Sequence, residues 1–404
     1  MATQIARATN VAQTGKNWHN VDHCYDNNTD SSYAYRDAAG TSASHVNGFR
    51  FNIPSNAVVS KITVSMKWYT SNSRGYLVGY LRSINNSSYI SIFRYANGQS
   101  HTTPSYGSID ISAAELQEYV NSNNIYNKNI IELINSGLHL RFVGGSTSSS
   151  RSSEVRIYDS YIKVYYEVPY TVSFNGNGAT SGSVASLSKI VGEDFSLPAN
   201  GFTKKYSVTL NPNYSGANNA TAHSSATFNG WEDHGTITAY TGEVFSKDDF
   251  DAPFYSNTYN DLYNVYKYNK QGLVDHYVKN GRGEGRSCTG TPRGVYPAGA
   301  TVNSLANEGG STNLYAQWSA MSAITLPIPT RDGYTFLGWY TAASGGSKVA
   351  DGGSSYTPTD NNITLYSHWK LNEITDIYIG TSILDVYLGS SKVDVYQGTT
   401  KIYG

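Results

Sequence analysis

Hydrophobic and polar residues alternate strictly at two places in the first part of the chain. Ile62, Val64, Met66 and Trp68 are separated by Lys61, Thr63, Ser65 and Lys67. This is the period of two of a half-buried strand, whose successive side chains face opposite ways. Ile162, Val164 and Tyr166 repeat the pattern in YIKVYYEV. Between them, ISAAELQEYVNS predicts a helix: Ser112 and Glu115 have capping-box spacing, and Leu116, Tyr119 and Val120 fall on one face. The run STSSSRSS at 146–153 is expected to be a surface hairpin loop, because a strand follows it directly.

Beyond Pro169 the apolar phrases shorten and end in tryptophan. YTVSFNGNG, FNGW (Phe228–Trp231) and LYAQW (Leu314–Trp318) form one set, and GYTFLGWYTAASGG (Gly333–Gly346) and LYSHW (Leu365–Trp369) a second. Each tryptophan is expected to anchor on a sheet, with the preceding glycine letting the ring approach backbone. The second set lacks a first strand like TVSFNGNG, which predicts a half-repeat that borrows its neighbour's edge. Between the two halves of the first set the period changes to that of a helix. Phe254, Tyr255, Tyr259, Leu262 and Tyr263 predict one helix, Leu273, His276 and Tyr277 a second, and Gly281 is placed to end it. The last residues repeat a nine-residue phrase three times from Asp376, with tyrosine third and glycine fifth. Each unit reads as strand, tight turn and strand. Such small units need a neighbour to cover them.

At 404 residues the chain exceeds one ordinary core, and about two to four domains are expected. Charged residues are only 15%, with 35 tyrosines and abundant glycine, which favours many short strands joined by polar turns. The fold class expected is mainly β: an N-terminal jelly-roll β-sandwich, then β-grasp-like repeat modules with a small helical insertion. The predicted boundaries are 1–168 for the sandwich, 169–320 for repeat 1 with its insertion at about 245–293, 321–371 for repeat 2, and 372–404 for the short β repeats. A formal charge of −1 gives no electrostatic case for nucleic acid or an anionic membrane as partner. No stretch approaches the roughly 20 apolar residues of a membrane span. The opening MATQIARATNVAQTGKNW has no apolar core of a secretory signal.

Three resemblances follow from these phrases. ATNVAQTGKNW, YDNNTDSSYAY and FRFNIPSNAVVSKITVSMKW, closed by LHLRFVGG, resemble a jelly-roll module of phage virion and tail-associated proteins. The paired Phe-x-Gly-Trp and Leu-Tyr-x-x-Trp motifs resemble the internalin B-type (Listeria–Bacteroides) repeat, a β-grasp-like module of bacterial and phage surface proteins. The terminal units resemble nonapeptide repeats that end phage structural proteins from Gram-positive hosts. Within the insertion, Phe250, Asp251, Tyr255, Tyr259, Asp261, Leu262, His276, Tyr277, Gly281, Glu284, Gly285 and Arg286 match a helix-hairpin module of bacterial cell-surface proteins, a resemblance that implies no activity.

Candidate chemistry is sparse. GRGEGR at 281–286 neither follows a strand nor opens a helix, so it is not a phosphate loop. No G-x-S-x-G elbow occurs and no carboxylate pair stands out; of the nine scattered histidines, His19 and His23 are four apart with Cys24 beside them, but their surroundings read as loop and not helix, against a metal site. No catalytic or metal residue is assigned, and no cofactor is expected. The one loop to carry further is YDNNTDSSYAY. Asp26, Asn28 and Asp30 alternate oxygen-bearing side chains, as a calcium ion would require, although a plain polar turn explains them more simply. Tyr33 and Tyr35 beside it could stack on a sugar, or simply begin the next strand.

The resemblances together imply a non-enzymatic bacteriophage structural protein on the exterior of the virion. The expected role is that of a tail fibre or tail-tip protein that binds a bacterial surface glycan or protein during host attachment. Other virion proteins and further copies of itself are the expected partners. A head fibre or capsid decoration protein, and a bacterial cell-surface adhesin, are the alternatives.

Overall fold

The computed structural model describes residues 154–372 continuously. Before them it describes 2–7, 10–14, 34–36, 43–71, 75–83, 90–95, 105–124 and 128–146, and after them 387–388, 391–392, 394–397 and 400–403. The chain divides into two compact units. One is Met1–Tyr170 with Ser188–Val191 and Glu308–Gly310; the other is the remainder. The fold is mainly β, as the sequence predicts.

The first unit is a sandwich of two five-stranded sheets. In one sheet, Val155–Glu167 lies between Ala2–Arg7 and Val58–Thr70, all antiparallel, and Val58–Thr70 pairs on its far side with Ser105–Ser112. The two strands read from the alternating pattern are thus neighbours, with Ile62 opposite Val164 and Val64 opposite Ile162. Ile62, Val64, Met66, Trp68, Ile162 and Val164 are all buried in one continuous core, and Tyr166 packs half-buried at its margin. In the other sheet the order is Asn10–Thr14, Ala43–Phe49, Leu138–Ser146, Gly75–Ser83, Ile90–Tyr95. The helix Ala113–Ser122 has the predicted capping box, with Glu115 N–H donating to the Ser112 hydroxyl at 3.3 Å and Ser112 N–H donating to the Glu115 carboxylate at 2.7 Å. Its buried residues are Leu116, Tyr119 and Val120.

One expectation fails here. Leu138–Ser146 and Val155–Glu167 belong to different sheets, so the serine-rich connection is a crossover and not a hairpin loop. Alternation reveals that a segment is a strand but not which strand it pairs with.

The second unit contains two tryptophan-anchored sheets. In the first, Ser311–Trp318 runs parallel to Tyr170–Asn175 on one side and antiparallel to Phe228–Asp233 on the other. In the second, Ile363–Leu371 runs antiparallel to Tyr334–Tyr340 and parallel to Lys205–Asn211. The missing first strand of the second repeat is therefore Lys205–Asn211, which lies in sequence inside the first. The two are equivalent in register: Phe174 sits beside Leu314 and Asn175 beside Tyr315, as Leu210 sits beside Leu365 and Asn211 beside Tyr366. The second repeat borrows a whole strand from within its neighbour, and the two repeats interleave along the chain.

Each sheet buries its anchor. Trp231 and Trp339 are 0% and 1% exposed. Their indole N–H groups donate to Pro198 and Pro327 carbonyls, at 3.4 and 2.9 Å. Phe228 and Phe336 meet them edge to face, with ring centroids 4.9 and 5.7 Å away. The preceding glycines serve a different purpose from the one expected. Gly230 and Gly338 stand at β-bulges with φ of 148° and 132°, and a Cβ on Gly230 would lie 2.7 Å from the Tyr296 carbonyl oxygen. Backbone conformation at both positions, and at Gly230 the close approach of the Tyr296 carbonyl, require glycine there.

In the terminal repeats, Tyr387–Leu388 pairs with Ser391–Lys392 and Val395–Gln397 with Thr400–Tyr403, both antiparallel. The second and third units thus each give two paired antiparallel strands, as expected; the first unit and the connections between these strands lie outside the described residues.

Candidate functional site: a tyrosine-lined cleft in the helical insertion

The insertion forms three short helices, Ala252–Thr258, Asn260–Tyr266 and Lys270–His276, the last continuing through a wider turn over Tyr277–Gly281. The sequence predicts two. The first breaks because Tyr259 adopts extended backbone (φ −120°, ψ 98°), and Lys267 at φ 47° ends the next. Gly281 closes the last turn, where it was placed. Tyr263, expected on an apolar face, is instead 42% exposed.

The residues matching the helix-hairpin pattern hold this insertion together. Asp251, buried, accepts from Phe254 N–H at 3.0 Å, capping the first helix, and from Gly294 N–H at 2.9 Å. Its burial raises the carboxyl pKa above the usual range. Arg286 grips Asp261 through two N–H groups, at 3.1 and 2.9 Å, reaches Glu284 at 2.5 Å, and lies over the Tyr259 ring. Tyr259 in turn accepts from Ser287 N–H. A buried ion pair fastens the helices to the first sheet: Lys270 Nζ is 2.8 Å from Asp233 Oδ2, and Thr312 and Gly235 N–H donate to Asp233 Oδ1. These are structural roles.

What remains open is a cleft of about 460 Å³ beside the third helix. Tyr240, Tyr266, Asp275, His276, Lys279 and Asn280 line it. Tyr240 sits between the paired strands Ile237–Thr238 and Val244–Phe245 and is 64% exposed. Asp275 fixes it there: Oδ1 accepts from Tyr240 N–H at 2.8 Å and from the Gln271 amide at 3.1 Å. His276 Nδ1 lies 3.1 Å from the Tyr255 hydroxyl, leaving Nε2 as the ring atom for a ligand. Burial raises the Tyr255 phenol pKa far above its ordinary value, so this hydroxyl stays protonated and can donate to the imidazole. The Tyr266 ring meets that of His276 edge to face, 5.8 Å between centroids. Aromatic faces beside one acid, one amide and one cation suit a polar ligand with apolar faces, such as a sugar ring. Among the described residues, no three His, Cys, Asp or Glu side chains gather as a metal site.

Of the residues predicted from sequence, Asp26, Asp30 and Tyr33 lie outside the described residues. Tyr35 lies on the strand Ala34–Arg36, its backbone paired opposite Arg156. The cleft draws on His276, named in the helix-hairpin resemblance, and on Tyr240, Tyr266, Asp275, Lys279 and Asn280, which sequence reasoning missed. Their signal was faint: tyrosines are so frequent in this chain that none stands out without its neighbours.

A family described as the Listeria-Bacteroides repeat domain matches residues 301–368. That segment holds the closing strand of the first tryptophan-anchored sheet and Tyr334–Tyr340 of the second. Among solved structures, the chain is similar to the CBM32 of AlyQ in complex with 4,5-unsaturated mannuronic acid, at 12% identity and a TM-score of 0.23, covering 40% of this chain and 98% of that one. It is similar to the xylan-binding module CBM15 at 10% identity and 0.23, covering 38% and 95%. The K1 cleaved adhesin domain of Lys-gingipain from Porphyromonas gingivalis W83 stands at 10% and 0.23, covering 41% and 98%. TM-scores of this size establish no shared fold.

Proposed function

We propose that this chain is a non-enzymatic surface-binding protein of a bacteriophage virion, used in host attachment and recognising a glycan on the bacterial surface. The observation that carries the binding role is the open cleft with Tyr240, Tyr266 and His276 around it, in an insertion fastened to the first tryptophan-anchored sheet by the Lys270–Asp233 pair. Its single carboxylate, Asp275, already accepts two hydrogen bonds from the protein. Glycoside hydrolysis needs a pair of carboxylates across the scissile bond, which favours binding over cleavage. The virion setting rests on the resemblance of the N-terminal and terminal-repeat sequences to phage structural proteins, and the match to the Listeria-Bacteroides repeat domain fits a surface role. In that setting the paired terminal strands are docking elements, toward other virion proteins or further copies of this chain, through main-chain pairing at exposed edges.

The test has two arms. Fluorescently labelled protein is incubated with isolated Gram-positive cell walls, with a reducing-sugar assay alongside. Binding without sugar release is expected, and release of reducing ends would make the chain an enzyme. Antibody-labelled particles imaged by cryo-electron microscopy should carry the label on the tail. Label on the capsid would make it a head fibre or decoration protein. Label on bacterial cells and none on particles would make it an adhesin.

A further inference from the structure

A second cleft, of about 270 Å³, adjoins the first. Asp194, Val265, Lys267 and Asn303 line it, and Tyr266 lines both. Val265, at its rim, is 74% exposed. The volume of the smaller cleft lies just under, and that of the larger inside, the roughly 300–1,000 Å³ of small-ligand sites.

Tyr266 is held at the junction by a glycine in the facing helix. A Cβ on Gly272 would stand 2.7 Å from Tyr266 Cδ1 and 3.2 Å from Cε1, so the ring lies directly on the Lys270–His276 helix. Glycine inside a helix is less favourable than alanine. The chain accepts that cost where it seats a half-buried tyrosine between two openings.

We infer that the two clefts are consecutive subsites for one linear, neutral polysaccharide chain, bound along its length with Tyr266 as the central platform. This rests on the glycan-binding reading above. The charge balance selects the class. Each cleft carries one carboxylate and one lysine, Asp194 with Lys267 and Asp275 with Lys279, so neither favours a polyanion. Asp194 accepts from the Asn303 amide at 2.8 Å, as Asp275 does from Gln271, so both carboxylates are held in place. A helical peptide would need a continuous apolar groove; these linings are mixed. A sugar chain offers alternating apolar faces and hydroxyls, which fits aromatic rings interleaved with acids, amides and amines. Both clefts are open, so the chain need not end in either.

The test uses the full-length protein and neutral polysaccharide released from Gram-positive cell walls by mild acid, separated into disaccharide and octasaccharide fractions. Intact walls and the walls' anionic polymer serve as controls. Titration calorimetry should show the octasaccharides binding at least roughly tenfold tighter than the disaccharides, since one further aromatic contact is worth about that factor. Tyr266→Ala and Tyr266→Leu should remove the length dependence, weakening octasaccharide binding far more than disaccharide binding, which also falls because Tyr266 lines the larger cleft too. Gly272→Ala should do the same without lowering Tm, because it strengthens the helix while displacing the ring. Equal affinity for both lengths, tighter binding of the anionic polymer, or unaltered binding by all three variants would overturn the inference and leave wall binding intact. Failure of the native protein to bind intact walls would overturn the glycan-binding reading itself, and this inference with it.

Discussion

Trp369 donates its indole N–H to the carbonyl oxygen of Pro212, 157 residues earlier in the chain, at 2.8 Å. The same bond recurs in the first sheet, where Trp318 donates to Gly176 at 2.9 Å. Beside each acceptor is an asparagine in the left-handed region, Asn177 at φ 47° and Asn213 at φ 60°. Each donates through its side-chain amide to the neighbouring strand, Asn177 to Ala316 and Asn213 to Ser367. Each also takes the same local turn, Asn177 N–H donating to Asn175 and Asn213 N–H to Asn211. The two sheets are therefore copies down to their turn chemistry, although the strands of the second are far apart in sequence.

Interleaving makes the two repeats one folding unit. A fragment of residues 169–320 would expose Leu210 and Val208 without Leu365, and 321–372 would lack its parallel edge. Neither fragment should fold alone, judged by amide dispersion, whereas co-expression of both should restore the native spectrum. A folded 321–372 fragment would show that the borrowed strand is dispensable.

The anchors can be tested individually. Trp231→Ala and Trp339→Ala each remove a fully buried ring and should cost about 3–5 kcal/mol in chemical denaturation. A loss of wall binding with unchanged stability would instead make them contact residues, against their burial.

Much of this was legible in the sequence, and the limits were physical. The sandwich strands show because one face is buried, which imposes a period of two, and the capping box at Ser112 shows because both partners are local. The interleaving was within reach: Ser-Val-Thr-Leu-Asn-Pro-Asn at 207–213 mirrors Thr-Val-Ser-Phe-Asn-Gly-Asn at 171–177. It was hidden because pairing between parallel strands leaves no local mark. The cleft was not legible at all. Tyr240, Tyr266 and His276 come from separate elements, brought together by the Tyr240 N–H bond to Asp275, the edge-to-face contact of Tyr266 with His276 and the close contact over Gly272.

Asp251 gives a pH dependence whose sign follows from its burial. Its folded pKa is raised, because burial penalises the charged form more than the bonds from Phe254 and Gly294 favour it. A raised carboxyl pKa stabilises the fold most below the ordinary carboxylate value, and that contribution is lost as pH rises through the folded value. The stability advantage of the native chain over Asp251→Asn should therefore be largest in acid and shrink toward neutrality. An advantage that grows with pH would mean that Arg293, 3.9 Å away, outweighs burial.

The last prediction concerns the core of the insertion. A Cβ on Gly281 would stand 2.1 Å from the Tyr255 hydroxyl oxygen, which is itself 3.1 Å from His276 Nδ1. Tyr255 is fully buried and ringed by Phe250, Tyr259 and Tyr277, so it has little room to retreat. Gly281→Ala should destabilise the protein by about 1–3 kcal/mol through overpacking. Tyr255→Phe removes the oxygen that would clash but also the hydrogen bond to His276, costing roughly 1 kcal/mol alone. The two changes share one contact, so they should not add. The double variant should be more stable than the sum of the singles predicts, with the difference read from urea midpoints at constant slope. Strict additivity would mean that the glycine is needed for the turn's backbone and not for the tyrosine. Because His276 lines the cleft, Tyr255→Phe should also weaken ligand binding while leaving the fold intact, a readout that a purely structural contact would not move.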